Sequence, residues 1–339
     1  MIVGFAGFEN NRTPSWLAVA GNPPYVAGRF PNTLARRVSN NYSAVFYQNG
    51  PSFNAADYYI AFSYYVKWAS GNARIFALSP INLNGNNAPW YAAVGRTAGS
   101  TLSLVPNGGS GITLGTLSSD LPEWTPVRVS IQRVGGGDVI FTCEINGQLM
   151  VSTIPTTGSN NAGPSTIGFN AGGGVAWWDS QIDIDDLVVQ DATGSIDNSG
   201  LAPLIRVTPA NPAAAGTLND FSITGGAPDK QTALAAADTQ YLTSAAANAT
   251  QTMTMPGAPN GVAGCLGANI WTRARKGLGS PYTMGAGLLI DGTPTVATPS
   301  LPLAADFAEY QRSVNYKTNN TRITMADAAS MELLIKNNS

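Results

Sequence analysis

Apolar residues recur at every second position in short runs, and Gly, Asn or Pro cuts each run off. That period suits a pleated strand with one face toward a core, and it does not suit a helix. In DYYIAFSYYVKW, Tyr58, Ile60, Phe62, Tyr64, Val66 and Trp68 share one face, and Tyr59, Ala61, Ser63, Tyr65 and Lys67 share a more polar one. Aromatic and β-branched residues carry the pattern, as a half-buried sheet requires. RIFAL, PWYAAVGR, TLSLVP and ITLGTL are further short strands. PVRVSIQRV turns Val127, Val129 and Ile131 inward and Arg128 and Ser130 outward. The clearest hairpin is DVIFTCEI-Asn146-Gly147-QLMVSTI, because Asn-Gly suits a two-residue turn whose central positions both need positive φ.

After GFNAGGGVAWW comes QIDIDDLVVQD, expected to close a first domain spanning residues 1–195. Unbroken alternation would place Ile182, Ile184, Asp186, Val188 and Gln190 on one face. Asp183, Asp185, Leu187, Val189 and Asp191 would lie on the other. Residues 192–203 read as a linker into a second β-rich domain, residues 196–339, with LIRVTP as its first strand. The Ala-rich stretch 232–249 has helix propensity, but Thr, Asn and Gly interrupt it, so loop and short strands are expected. TQTMTMP, GVAGCLGANIWTRARKG, FAEYQRSVNYK and MELLIK read as strands, and GLLI-Asp291-Gly292-TPTV as a hairpin. Thr324 ahead of Asp327 signals the cap of a single helical turn. The fold class is all-β, with a sandwich in each half.

The chain has 339 residues, enough for two cores. It contains no histidine, which removes Ser-His-Asp and Cys-His catalysis and His-ligated metals. Two cysteines, Cys143 and Cys265, cannot build a disulfide framework or a zinc site. They are expected as buried free thiols, a single bridge being the alternative. A net charge of −2 gives no basic excess for nucleic acid or anionic membrane. The opening MIVGFAGFENNR lacks the features of a signal peptide, and no stretch reaches the ~20 apolar residues of a membrane span. A soluble chain without membrane insertion is expected.

Several segments resemble the concanavalin A-like (laminin-G-like) jelly roll. They are MIVGFAGFE as opening strand, EWTPVRVSIQRV, FTCEINGQLMVST and IDIDDLVVQD. In that family the closing strand pairs beside the first. The whole chain resembles a group of bacteriophage minor structural proteins, most strongly in IDDLVVQDATGSIDNSGLAPLIRV and, at the end of the second domain, in TMADAASMELLIK. The resemblance implies a non-enzymatic virion protein, a capsid decoration or tail component, bound to other virion proteins as a homo-oligomer or symmetric array. It implies a second domain used for attachment or assembly, and a virion location.

Candidate chemistry is sparse. The Glu-x-Asp-x-x-Glu pattern of concanavalin-fold glucanases is absent. Asp183 and Asp185 stand about 7 Å apart on one strand face but lack a Glu partner, so a polysaccharide hydrolase is the weakest reading. With Asp179 they are candidate calcium ligands, since carboxylates and carbonyls are the oxygens Ca²⁺ takes; the alternative is that they bond loop amides. No other cofactor is indicated. Trp90 and Tyr91 after NGNNAP, and Trp178 after GGG, are candidate stacking rings for a sugar. Adjacent Trp177 and Trp178 must point opposite ways on a strand, one into a core. Arg36, Arg37, Arg273, Arg275 and Lys276 read as solvated faces or subunit contacts. The glycines at 135–137 and 172–174 read as turns and not as phosphate cradles. The competing functional reading is a carbohydrate-binding adhesin for host-surface glycans.

Overall fold

A computed structural model describes residues 2–8, 14, 16–21, 23–38, 43–48, 57–68, 73–79, 90–94, 96–106, 112–136, 138–154, 166–169, 182–193, 199–235, 239–257, 264–265, 267–277, 283–296 and 300–338. The chain divides into two compact units, Met1–Pro209 and Ala210–Ser339. Both are built from antiparallel strands.

The first unit contains β1 (Ile2–Ala6), β2 (Leu17–Gly21), β3 (Tyr25–Ala27), β4 (Leu34–Val38), β5 (Ser43–Gln48), β6 (Tyr58–Trp68), β7 (Ala73–Ser79) and β8 (Trp90–Val94). There follow β9 (Thr101–Pro106), β10 (Ile112–Thr116), β11 (Trp124–Arg133), β12 (Val139–Ile145), β13 (Gln148–Ile154), β14 (Thr166–Phe169) and β15 (Ile182–Asp191). One sheet runs β13-β12-β11-β6-β15-β4-β3 with β1 also on β15, and the other runs β10-β9-β8-β7-β14-β5-β2. The result is a sandwich of two antiparallel sheets. The opening and closing strands pair, Phe5 opposite Val188 and Ala6 opposite Leu187.

The long β6 sits in the middle of its sheet, paired with β11 from Lys67↔Trp124 to Tyr58↔Arg133. Its apolar face supplies Ile60, Phe62, Tyr64 and Val66 to the space between the sheets. Val127, Val129 and Ile131 of β11 and Phe141, Cys143 and Ile145 of β12 join them. Across the gap stand Leu17, Val94, Leu102, Leu114 and Phe169. Phe169 meets Tyr64 edge-on at 4.8 Å between ring centroids. Each such large side chain contributes about 1.5–3 kcal/mol by leaving water. Asn146 (φ 49°) and Gly147 (φ 81°) make the expected turn between β12 and β13.

Two expectations are corrected here. Alternation does not run unbroken through β15: its pairing with β6 shifts register between Asp185 and Val188, and Asp186 takes φ 52°. The core therefore receives Ile182 and Ile184 before this bulge and Leu187 and Val189 after it. An extra residue at a bulge flips every later side chain. Second, LIRVTP is not a strand, and it lies within the first unit, which extends past residue 195 to Pro209. The more polar face of β6 is covered as well. Tyr59, Ala61 and Ser63 are buried beneath residues 199–207. Carbonyls of this strap accept side-chain donors from the sheet and from the β3–β4 turn. Tyr59 Oη donates to Gly200 (2.8 Å), Arg128 Nη2 to Leu201 (3.3 Å) and Nε to Ala202 (2.9 Å), Ser63 Oγ to Pro203, and Arg29 Nη2 to Ile205 (3.1 Å).

The second unit comprises β16 (Ala214–Asn219), β17 (Ser222–Thr224), α1 (Lys230–Ala235), β18 (Tyr241–Thr243), β19 (Thr250–Thr254), β20 (Ala268–Ala274) and β21 (Thr283–Ile290). It continues with β22 (Thr293–Val296), β23 (Leu301–Pro302), β24 (Ala308–Val314), α2 (Met325–Ser330) and β25 (Glu332–Asn337). A sheet of order β16-β19-β25-β21-β22, with β23 on β21, is packed by the β20–β24 ribbon. Ile270 and Val314 of the ribbon meet Ala286, Leu288 and Ile290 of β21, making a small sandwich core. The Asp291-Gly292 hairpin forms as expected. The expectation of loop and strand over 232–249 is corrected in part: α1 occupies Lys230–Ala235, started by Asp229 Oδ1, which accepts from the Thr232 amide at 2.7 Å. Thr324 and Asp327 form a full capping box on α2.

Candidate functional site

The residues singled out for sugar stacking divide between described and undescribed parts of the chain. Trp90 and Tyr91 open β8, opposite Leu78 and Ala77 of β7 and Pro106 and Val105 of β9. Trp177, Trp178 and Asp179 lie outside the described residues, as do the glycines at 172–174.

The carboxylates of β15 fall on the outer face of their sheet, where arginines and amides meet them. Arg37 reaches Asp183 with two bonds, Nε to Oδ1 at 2.7 Å and Nη2 to Oδ2 at 2.9 Å. The bond to Asp183 raises the Arg37 guanidinium above its ordinary range. Asp185 Oδ1 accepts the Asp186 amide at 2.8 Å and its Oδ2 the Arg29 amide at 3.0 Å, which fastens the bulge. Asp186 Oδ2 accepts Arg29 Nη2 at 2.6 Å, and Oδ1 accepts the Val207 amide at 2.7 Å. Burial is the strongest influence on Asp186 and pushes its carboxyl up, against the pull of Val207 and Arg29. Arg29 itself lies over the Tyr65 ring at 3.4 Å, and Arg206 of the strap lies over Phe30 at 3.8 Å. This set joins strap to sheet. Among the described residues, no group of three or more His, Cys, Asp or Glu side chains is arranged to hold a metal ion.

Neither thiol offers a nucleophile. Cys143 is buried, and desolvation drives its thiol far above the usual range. Cys265 is free and half-buried, and burial again pushes it up. The thiolate is the reactive form, so both groups are silent at neutral pH.

Two features among the described residues lie apart from these groups. In the first unit, the outer face of the β12–β13 hairpin exposes Ile140 (45%), Leu149 (58%) and Val151 (55%). β13 is the last strand of its sheet. Strict alternation explains the exposure, since Phe141, Cys143 and Met150 take the inward positions. In the second unit, Tyr241 and Phe307 meet edge-on at 5.7 Å. Arg275 lies 4.7 Å from the Phe307 ring and 5.7 Å from Tyr241, with Arg273 at 5.8 Å from Phe307. The basic stretch was visible in sequence. Its aromatic partners, over thirty residues away on either side, were not.

No family model matches the chain, and no curated protein matches it. Among solved structures, the binding domain of Paraclostridial Mosquitocidal Protein 1 is similar at TM-score 0.34 and 16% identity, covering 56% of this chain and 48% of that one. The chain thus spans about half of that structure's length. A botulinum neurotoxin serotype D/C binding domain is similar at TM-score 0.37 and 12% identity, covering 99% of this chain and 94% of that one. The conserved carbohydrate esterase of the Shiga toxin-encoding bacteriophage phi24B is similar at TM-score 0.34 and 15% identity, covering 51% and 88%. Among the described residues, no helix is long and apolar enough to cross a membrane.

Proposed function

We propose that this chain is a non-enzymatic structural protein of a bacteriophage particle, a capsid decoration or tail-associated component that holds other virion proteins, as copies in a symmetric array. The observation that carries this reading is the exposed face of the β12–β13 hairpin. Leu149 and Val151 stand on β13, the edge strand among the described residues, and Ile140 stands on β12 beside it, so that an open edge and apolar side chains together suit a protein neighbour. The pairing of opening and closing strands agrees with the resemblance to the concanavalin A-like jelly roll, and the virion role follows the separate resemblance to bacteriophage minor structural proteins. The described carboxylates of β15 are spent on arginines and amides, and the thiols are silent. The reading needs no cofactor, because calcium at Asp183 would have to displace Arg37. The test is Leu149→Lys with Val151→Lys. Incorporation into particles should fall at least tenfold while the fold, by circular dichroism, is kept. Normal incorporation would refute the assignment.

A carbohydrate-binding adhesin is the second reading, favoured by the half-buried rings of Tyr241 and Phe307 beside the exposed Arg275. Rings with adjacent donors suit a sugar face. A glycan array should then show binding that Phe307→Ala, Trp90→Ala or Trp178→Ala removes, and a blank array would sink this reading.

A further inference from the structure

Arg36 and Arg37 are neighbours on β4 and point to opposite faces. Arg37 faces outward, opposite Asp183, and is paired to it. Arg36 faces inward. Its cross-strand partners are Ile184 of β15, a core residue, and Tyr25 of β3, which packs on the core. Val38, two residues on, lies in the same core. Arg36 is only 5% exposed. Its Nε and Nη1 have no hydrogen-bond partner among the described residues, and its guanidinium lies 4.0 Å from the Tyr25 ring.

The contrast across this sheet is plain. Arg29, Arg37 and Arg128 are each less buried than Arg36, and each has a carboxylate: Asp186, Asp183 and Glu144. Among the described residues, the most deeply placed of the four has none. A guanidinium cannot escape the cost of burial by losing its proton at neutral pH. Desolvation pulls Arg36 down from its ordinary value, with Tyr25 opposing, but an arginine starts so high that it stays charged. A cation stacked on one ring keeps only part of what water gave it, and its in-plane N–H donors still need acceptors. An apolar side chain would suit a position between Ile184 and Tyr25 better. Its place at the β3–β4 end of the sheet, where β3 is a three-residue edge strand, puts it beside a margin of the sandwich.

We propose that Arg36, stacked on Tyr25, is the cationic half of a binding site for a small oxygen anion, a carboxylate or an inorganic oxyanion, which enters at the β3–β4 edge. The ligand supplies the acceptors that the described residues do not. Carboxylate and phosphate share this chemistry, and the experiment separates them.

Thermal unfolding of the whole chain is followed in a chloride buffer during titration with sodium acetate or sodium phosphate, for the wild type and for Arg36→Met. General salt effects rise without saturating and act on both proteins alike. Specific binding adds a saturable part, worth about 5–10 °C at a hundredfold excess over Kd for a unit of this size. The expected result is a saturable rise in the wild type, with acetate, phosphate or both, that Arg36→Met lacks. Arg36→Met without added anion should unfold at or above the wild-type temperature. Should the Met variant fail to fold, Arg36→Lys serves instead: the saturable rise should need at least tenfold more anion. A saturable rise in neither salt, or one of equal size in wild type and variant, would overturn the proposal.

Discussion

Asp186 in the first unit and Asp327 in the second make almost the same set of contacts. Both are buried, both sit 2.6 Å from a cation (Arg29 and Lys317), and both accept a backbone amide, from Val207 and Thr324. Their carboxyls nevertheless shift in opposite directions. Asp327 is held well below the usual range, first by the bond from Lys317 and then by the amide and hydroxyl of Thr324. Asp186 is pushed up, because burial outweighs its bonds. The surroundings account for the difference. Asp327 starts a short helix whose neighbours Thr324 and Ala326 are exposed, whereas Asp186 lies between buried Asp185 and Leu187 with the strap above. An ion pair of given length thus steadies a fold only where its hydrogen bonds outweigh the cost of burial.

The largest expected effect tests the strap. Asp186→Ala leaves Arg29 buried without its partner, frees the Val207 amide and puts a Cβ-bearing residue without polar compensation at φ 52°. Removing one partner of a buried pair costs about 3–5 kcal/mol. Urea unfolding of the first unit should shift by that amount, and a loss under 1 kcal/mol would show that strap and bulge are not coupled. A second variant sharpens the point. Arg29→Met with Asp186→Asn removes both charges and keeps a residue that tolerates left-handed backbone. It should recover at least half of the loss in the same assay; additive losses would mean that the pair itself is net stabilising.

The smaller effect belongs to the other aspartate's helix. Thr324→Ala removes the hydroxyl that accepts the Asp327 amide at 3.2 Å and should cost about 1 kcal/mol. Denaturant unfolding of the second unit measures it, and a cost as large as that of Asp186→Ala would erase the contrast.

This cap was legible in the sequence because its two halves are three residues apart. So were the Asn146-Gly147 and Asp291-Gly292 turns and the inward faces of β6, β11 and β12, all set by local backbone chemistry and period. The bulge in β15 was not, since Ile-Asp-Ile-Asp-Asp-Leu-Val-Val fits an unbroken period two as written. What shifts it is Arg29, 157 residues away, whose amide and guanidinium fill the site where two successive aspartates face outward. Leu204-Ile205-Arg206-Val207 reads as a strand for the same reason. Its Ile205 carbonyl instead accepts from Arg29 of the β3–β4 turn and its Val207 amide donates to Asp186, and no pattern within the segment encodes those partners. Among the site residues, Arg275 could be noticed but not its rings, and Arg36 looked like surface charge. Only the register against Ile184 turns it inward.

Acid titration separates the two aspartates most directly. An unfolded aspartate titrates near pH 4. Asp327 is depressed in the fold, so its contribution is whole above that pH and is lost as pH falls toward its folded value. Asp186 is elevated, so the cost of keeping it charged is fully present above its folded value and is relieved as pH falls through that value toward 4. Mild acid should therefore relieve the strap's region before stronger acid weakens the helix start. Hydrogen exchange of amides in β15 and α2, followed from pH 7 to pH 3, reads each region separately once corrected for intrinsic rates. Asp186→Asn should flatten the first response and Asp327→Asn the second. If both regions weaken together over the same range, the two carboxyls do not differ in kind, and the burial of Asp186 is shallower than the strap implies.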